Sequence, residues 1–233
     1  MNLKELTLIV PTKNEAVNID RFLDSVPIHI KMIIVDASCD NTREIILRKS
    51  RPVIHTIHDE GNIATARQLA AEHAVTEWLL YSDADVCFDE NYFDILANLP
   101  LSEHHGGLMG AKHSRDRYRR YYQLFSHWLR WCCALGLPSA SGSNMLVRRQ
   151  ALLTVGGFDL SLSCNEDSEL MYRIHRLGYK VAYEGRLKVY EFDHRRLDRG
   201  LMRKTAHSII RCALLACGWN SMIRKHDWGY WRI

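Results

Sequence analysis

The chain has no Cys-x-x-Cys pair, and its seven cysteines follow no small-domain framework. A disulfide scaffold is therefore excluded, and the cysteines read as reduced packing residues of a cytosolic protein. No apolar run approaches the roughly 20 residues that span a bilayer. The start, "MNLKELTLIVPTKNE", holds Glu5 within a very short apolar run and shows no cleavage-site pattern, so it does not read as a signal peptide. No GxGxxG follows the first apolar run, and no GxxxxGK occurs. That argues against a dinucleotide-binding dehydrogenase and a P-loop NTPase. Internal repeats, low-complexity tracts and an obvious interdomain linker are absent too. At 233 residues the chain suffices for one domain with a substantial core.

Charge is present but unevenly placed. Residues 1–110 carry 9 Lys/Arg against 17 Asp/Glu; residues 111–233 carry 22 against 10. A basic second half implies an anionic counterpart: nucleic acid, phospholipid or a phosphorylated small molecule. No recognised nucleic-acid module accompanies the charge, so a nucleic-acid partner is not expected.

The first 85 residues alternate strand-like and helix-like segments. "LTLIV" (6–10), "MIIVD" (32–36), "PVIHTIH" (52–58) and "WLLY" (78–81) read as buried strands. Between them lie helical patterns at 12–26, 41–50 and 62–74, the first opening with Thr12 and Glu15 at capping-box spacing. This order predicts an α/β layer with a parallel sheet. Ligands bind at the carboxyl ends of such strands. Here those ends carry Pro11-Thr12, Asp36 and the pair Asp83 and Asp85. Ionised carboxylates are costly to bury alone, and hard oxygen ligands at a strand end suit Mg²⁺ or Mn²⁺. Further on, helices are expected over 115–137 and 165–181, and a Gly-Ser loop near 141–144 precedes a short strand and helix.

Five ordered stretches, "LIVPTKNE", "IIVDASCDNT", "GNIATARQLA", "LLYSDAD" and "SGSNMLVRRQALLTVGGFD…NEDSELMYRIHRLGYKV", together resemble the inverting glycosyltransferases of the large family two. They cover roughly residues 6–190. The resemblance implies a GT-A fold: a Rossmann-like nucleotide-binding half with a mixed central sheet flanked by helices. It implies transfer of one sugar from a nucleotide sugar to an acceptor hydroxyl, assisted by Mn²⁺ or Mg²⁺. By this resemblance Pro11, Thr12 and Glu15 form the nucleotide loop, and Asp36 accepts from the base's imino N–H. Arg67 lies near base and diphosphate, Asp83 meets the ribose, and Asp85 holds the cation. Ser143 and Asn144, in the Gly-Ser loop, touch the donor sugar. Asp167 is the catalytic base. His194 is the further metal ligand, with Asp193 competing for that place. The polymerising members' QxxRW motif is missing, since "HRRLDRG" does not match it, so single transfer is expected. Asp36 favours a uracil donor, UDP-glucose or a similar UDP-hexose. The acceptor is a growing glycan or a lipid-linked saccharide.

Two other classes share parts of this pattern. A nucleotidyltransferase of related fold would carry a glycine-rich basic loop after the first strand, and "PTKNE" has no glycine. A non-catalytic membrane-associated scaffold would be expected to lose the acidic pair or the base, and both remain. Residues 1–190 are expected to form the catalytic domain and 191–233 a basic amphipathic extension. Within 199–218, Met202, Ala206, Ile209, Ala213, Leu214 and Cys217 share one stripe. That stripe either packs on the domain or lies on a membrane, with Arg224, Lys225, Trp219, Trp228, Tyr230 and Trp231 nearby. The chain is accordingly read as cytoplasmic, or peripheral at the inner membrane face.

Overall fold

The structure is a computed structural model. It describes residues 1–225 except Ser50, Pro52, Pro138 and Ser163. Trp228, Tyr230 and Trp231 lie outside the described residues, as do the side chains of Arg224 and Lys225.

The first half runs β1 (Leu6–Thr12), α1 (Ile19–Asp24), β2 (Lys31–Asp36), α2 (Thr42–Arg48), β3 (Ile54–His58), α3 (Ile63–His73) and β4 (Trp78–Tyr81). Then follow β5 (Val86–Phe88), α4 (Tyr92–Ala97), β6 (His105–Ser114), α5 (Arg119–Ala134), β7 (Met145–Arg148) and α6 (Arg149–Thr154). The chain continues through α7 (Glu166–Arg176), β8 (Lys180–Glu191), α8 (Arg195–Asp198), α9 (Leu201–Ala216) and α10 (Asn220–Lys225). One eight-stranded sheet has the order β3-β2-β1-β4-β7-β6-β8-β5. The β3-β2-β1-β4 half is parallel; β7 runs antiparallel to both β4 and β6.

Continuous apolar runs make sense in a sheet covered on both faces. Leu6, Leu8, Val10, Met32, Ile34 and Leu80 point into one core. Their alternates Ile9, Ile33, Val35, Leu79 and Tyr81 point into the other. On that second face α3 packs close through Ala64, Ala66, Ala70 and Ala71. Its first turn is capped by the Asn62 side chain, which accepts from Thr65 N at 2.9 Å.

The expected capping box at Thr12 and Glu15 does not form. Thr12 is the last residue of β1, and α1 begins only at Ile19. Strands β5 and the long β8 were not foreseen, nor were the short helices α4, α8 and α10. The pairing of β5 with β8 sets Val86 opposite Glu191. That register brings the end of β8 beside Asp85.

The segment after β8 folds back on the domain. Arg211 of α9 is fully buried, and its Nη2 donates to the Cys164 carbonyl at 2.6 Å. Leu215 joins Leu162 and Ile223 in a small core. The apolar stripe foreseen through Met202 and Ile209 therefore faces away from the sheet, and both side chains are exposed. Among the described residues no helix is long and apolar enough to cross a membrane.

Candidate active site

A cleft of about 860 Å³ opens over the carboxyl ends of β1, β2 and β4. That is the size range of sites for small molecules and cofactors. Its floor includes Pro11, Thr12, Glu15, Asp83 and Asp85; its far walls come from α5, the α7 start and α9.

The β1 and β2 ends are tied together. Thr12 Oγ1 donates to Asp36 Oδ1 at 2.9 Å, and Ser38 Oγ donates to the same oxygen at 2.6 Å. Asp36 is buried behind Thr12 and Ala37, which themselves line the cleft. Glu15 accepts from Asn18 Nδ2 at 2.8 Å and from Arg195 Nη2 at 3.1 Å, so the two ends of the sequence meet at this rim.

Arg67 is the largest buried side chain here. Its guanidinium, on α3, donates to Asp83 Oδ1 at 2.9 Å and forms an ion pair with Glu166. Gly142 lies directly over it, where any Cβ would collide with the guanidinium. This explains a glycine at that point in the loop better than turn geometry does. Removing Arg67 would strand Glu166 and weaken the hold on Asp83. Arg67→Met is therefore expected to destabilise the fold by about 3–5 kcal/mol, the range for breaking a buried pair. A urea midpoint within error of the wild type would refute that role.

Asp167 sits at the start of α7 and points into the cleft. Its Oδ2 accepts from Gly142 N at 2.7 Å and its Oδ1 from Ser168 N at 2.6 Å. Two backbone donors from different segments fix the carboxylate without consuming all of its lone pairs.

Asp85 is the most unusual group in the site. Its Oδ1 is buried with no hydrogen-bond partner. Burial, then the neighbouring Glu191 and Asp83 charges, holds its carboxyl well above the usual range. Burial likewise pushes Glu15 up to about 7 and Glu166 up to about 7. An orphaned carboxylate oxygen among like charges is what a divalent cation would satisfy, so the donor set fits one. Among the described residues no three His, Cys, Asp or Glu side chains converge to hold a metal by themselves. Mg²⁺ needs no such cluster, since it takes one or two carboxylates with waters and substrate phosphates.

The raised carboxyls have a consequence for stability. In the fold these groups keep a proton that the unfolded chain has released above pH about 4.5. The folded state then binds more protons, so stability falls as pH rises from about 4.5 to about 7. His105, His113 and His207, shifted down by burial, and Lys204, pushed down by burial to about 7, pull the other way. The metal-free chain is thus expected to melt at a lower temperature at pH 7.5 than at pH 5.5. A melting temperature that climbs across that interval would count against the raised carboxyls.

Two expected site residues are elsewhere. His194 is buried away from the cleft, with Nδ1 at 3.2 Å from Tyr122 Oη and Nε2 at 2.9 Å from Asp116 Oδ1. Both ring nitrogens are used, so the imidazole does not turn toward Asp85. The alternation beyond β8 gives the cleft Glu191 and Asp193 instead. Asn144 is also withdrawn. Its Nδ2 donates to the Ala111 and Leu187 carbonyls, each at 3.0 Å, and its Oδ1 accepts from Tyr92 Oη at 2.7 Å. It ties β6 to β8 where their register breaks, and cannot also serve a ligand. Ser143, its neighbour, does line the cleft.

Glu191 and Lys112 escaped the sequence reading. They form a buried ion pair beside Asp85. Glu191 ends a strand whose alternation is obscured by "YEGRLK", and Lys112 lies in a glycine-rich run with little pattern.

A family model described as "Glycosyl transferase family 2" matches residues 7–156. The chain belongs to glycosyl transferase family 2. A succinoglycan biosynthesis protein, ExoA, of Rhizobium meliloti (strain 1021) is 26% identical over 206 residues, covering 78% of this chain and 62% of that protein. A pre-mycofactocin glycosyltransferase of Mycobacterium tuberculosis is 24% identical over 213 residues, covering 82% of this chain and 43% of its own length. The chain thus spans about two-fifths to three-fifths of these relatives. Among solved structures, a mannosyltransferase from Pyrobaculum calidifontis in complex with GDP-Man and Mn²⁺ superposes with a TM-score of 0.67 at 24% identity. That match covers 80% of this chain and 56% of the other. Staphylococcus aureus TarS 1–349 in complex with UDP-GlcNAc gives 0.63 at 17% identity, covering 81% and 60%. The fold of this family-two chain is GT-A, as its resemblance implied.

Proposed function

We propose that the chain moves one sugar from a nucleoside-diphosphate sugar to an acceptor hydroxyl, with inversion and with a divalent cation at Asp85. The buried, unpartnered Asp85 Oδ1 beside Asp83 is the observation that carries this reading. A bound Mg²⁺ or Mn²⁺ would neutralise the departing diphosphate as a Lewis acid. Asp85 would hold it, with Asp193 or Glu191, which also line the cleft, as the further carboxylate in place of His194.

The remaining work falls to the protein's own groups. Asp167 is placed to take the acceptor proton, its carboxylate steadied by the Gly142 and Ser168 amides. Arg67 fixes Asp83 for a ribose contact. Pro11, Thr12 and Glu15 would frame the base with Asp36 behind them, and Ser143 would border the donor sugar. Residues 1–190 would hold most of the donor, and the segment from 191 onward would complete the metal site and close the acceptor side. We favour UDP-glucose or a related UDP-hexose. A carboxylate at Asp36 suits any imino N–H, which guanine also offers, so GDP-mannose belongs in the screen.

Thermal shift against a panel of nucleotide sugars with Mn²⁺ selects the donor, and the product identifies the chemistry. Release of a nucleoside diphosphate is expected. Release of inorganic diphosphate would establish nucleotidyl transfer, and no turnover of any donor would favour a non-catalytic scaffold.

A further inference from the structure

Helix α5 has two apolar faces. One packs inward through Tyr122, Leu129 and Cys132. The other carries Leu124, Trp128, Trp131 and Leu135, whose spacing of four, three and four residues keeps them within about 60° of one another. Those four are 69%, 42%, 68% and 65% exposed. A surface helix ordinarily turns polar residues outward. Here tryptophan and leucine stand in solvent, and nothing among the described residues covers them.

Helix α9 has the same inversion. Its inward side holds Arg211 and Leu215, while Met202 is 82% and Ile209 48% exposed on the outward side. Ala206 and Ala213 are exposed on the same stripe, and Trp219 follows at the helix end. The two helices are neighbours across the cleft mouth. Leu124 and Trp128 from α5 and Leu201 and Ile209 from α9 line it together, and Lys204 Nζ lies 5.4 Å from the centre of the Tyr121 ring.

Charge decides what such a surface meets. Residues 115–137 and 195–225 carry 13 Lys and Arg against two Asp and no Glu. Arg119, Arg120, Arg130, Arg199 and Arg203 are exposed around the stripes. A second copy meeting this face through its own copy of the face would set like charge against like. An anionic bilayer accepts both features: apolar side chains enter the boundary of headgroups and acyl chains, and guanidinium groups meet phosphate. Tryptophan is favoured at that boundary.

We infer that the outward faces of α5 and α9 form a docking surface for an anionic phospholipid bilayer, presenting the cleft mouth to an acceptor carried in that bilayer. The docking stands on the surface alone; the presentation of an acceptor rests on the transfer activity proposed above. Docking would place the mouth at headgroup depth, where an amphiphile's hydroxyl could reach Asp167 while its tail stays in lipid.

The test is flotation of the full chain with phosphatidylglycerol–phosphatidylcholine vesicles and with phosphatidylcholine alone. Trp131→Ser/Leu135→Ser and Met202→Ser are the variants, because none of these residues lines the cleft and all are exposed, so the fold should persist; circular dichroism checks it. Binding to anionic vesicles is expected, weakening as salt rises above 0.1 M, where the Debye length is about 10 Å. The α5 double variant should partition roughly tenfold more weakly or worse. No flotation at low salt would overturn the inference, as would equal flotation of the double variant. A wild-type dimer by light scattering, made monomeric by the double variant and indifferent to vesicles, would assign the face to self-association instead. Binding of UDP or GDP with Mn²⁺, read without vesicles, separates the two proposals. Absence of both UDP and GDP binding alongside retained flotation would refute the transfer reading and leave the surface standing.

Discussion

Asp167→Asn is expected to bind donor close to normally and to turn over roughly 10²–10⁴-fold more slowly, the usual worth of a positioned base. The amide keeps the shape but has no basic oxygen for the acceptor proton. It also brings one acceptor where the carboxylate brought two. Either the Gly142 or the Ser168 amide then loses its partner, at a cost of about 1–3 kcal/mol in stability. The loss should therefore appear in kcat, with UDP affinity retained and a modestly lower unfolding midpoint. A variant that loses UDP affinity while each bound donor still reacts at the wild-type rate would remove Asp167 from this role.

Asp85→Ala should separate stability from function. In the metal-free chain Asp85 is a buried carboxyl beside Glu191 and Asp83, with one oxygen unpartnered. Its removal relieves that crowding and leaves Glu191 to its ion pair with Lys112. The metal-free variant should melt at or above the wild-type temperature. Its Mn²⁺-dependent affinity for donor should nevertheless fall roughly 100-fold or more, since no neutral side chain replaces the ligand. Wild-type activity with Mn²⁺ in this variant would defeat the assignment.

The parts of this site that could be read from sequence are those fixed by local runs. "LTLIV", "MIIVD" and "WLLY" can only be buried strands, and a strand buried on both sides sends its first polar residue to its end. Thr12, Asp36, Asp83 and Asp85 were legible for that reason, and Asp167 through the motif around it. What failed depended on partners far along the chain. Whether His194 or Asp193 enters the cleft is set by the phase of β8, and the glycine within "YEGRLK" hides that phase. Asn144 looks like a ligand in a Gly-Ser loop, but two backbone carbonyls, one from β6 and one from β8, and a tyrosine hydroxyl claim it. The apolar stripe of α9 was visible as a stripe. Its direction was not, because a lone arginine, Arg211, anchors the inward side to the Cys164 carbonyl.

The central claim is that Asp85 holds a divalent cation only when a nucleoside diphosphate completes its coordination. Electron paramagnetic resonance of Mn²⁺, titrated with the chain in the presence and absence of UDP, reads this directly. Free Mn²⁺ signal should fall to a single bound ion per chain when UDP is present, fall little without it, and remain free throughout with Asp85→Ala. UDP that binds the wild-type chain equally well in excess chelator, with no Mn²⁺ taken up, would contradict the claim.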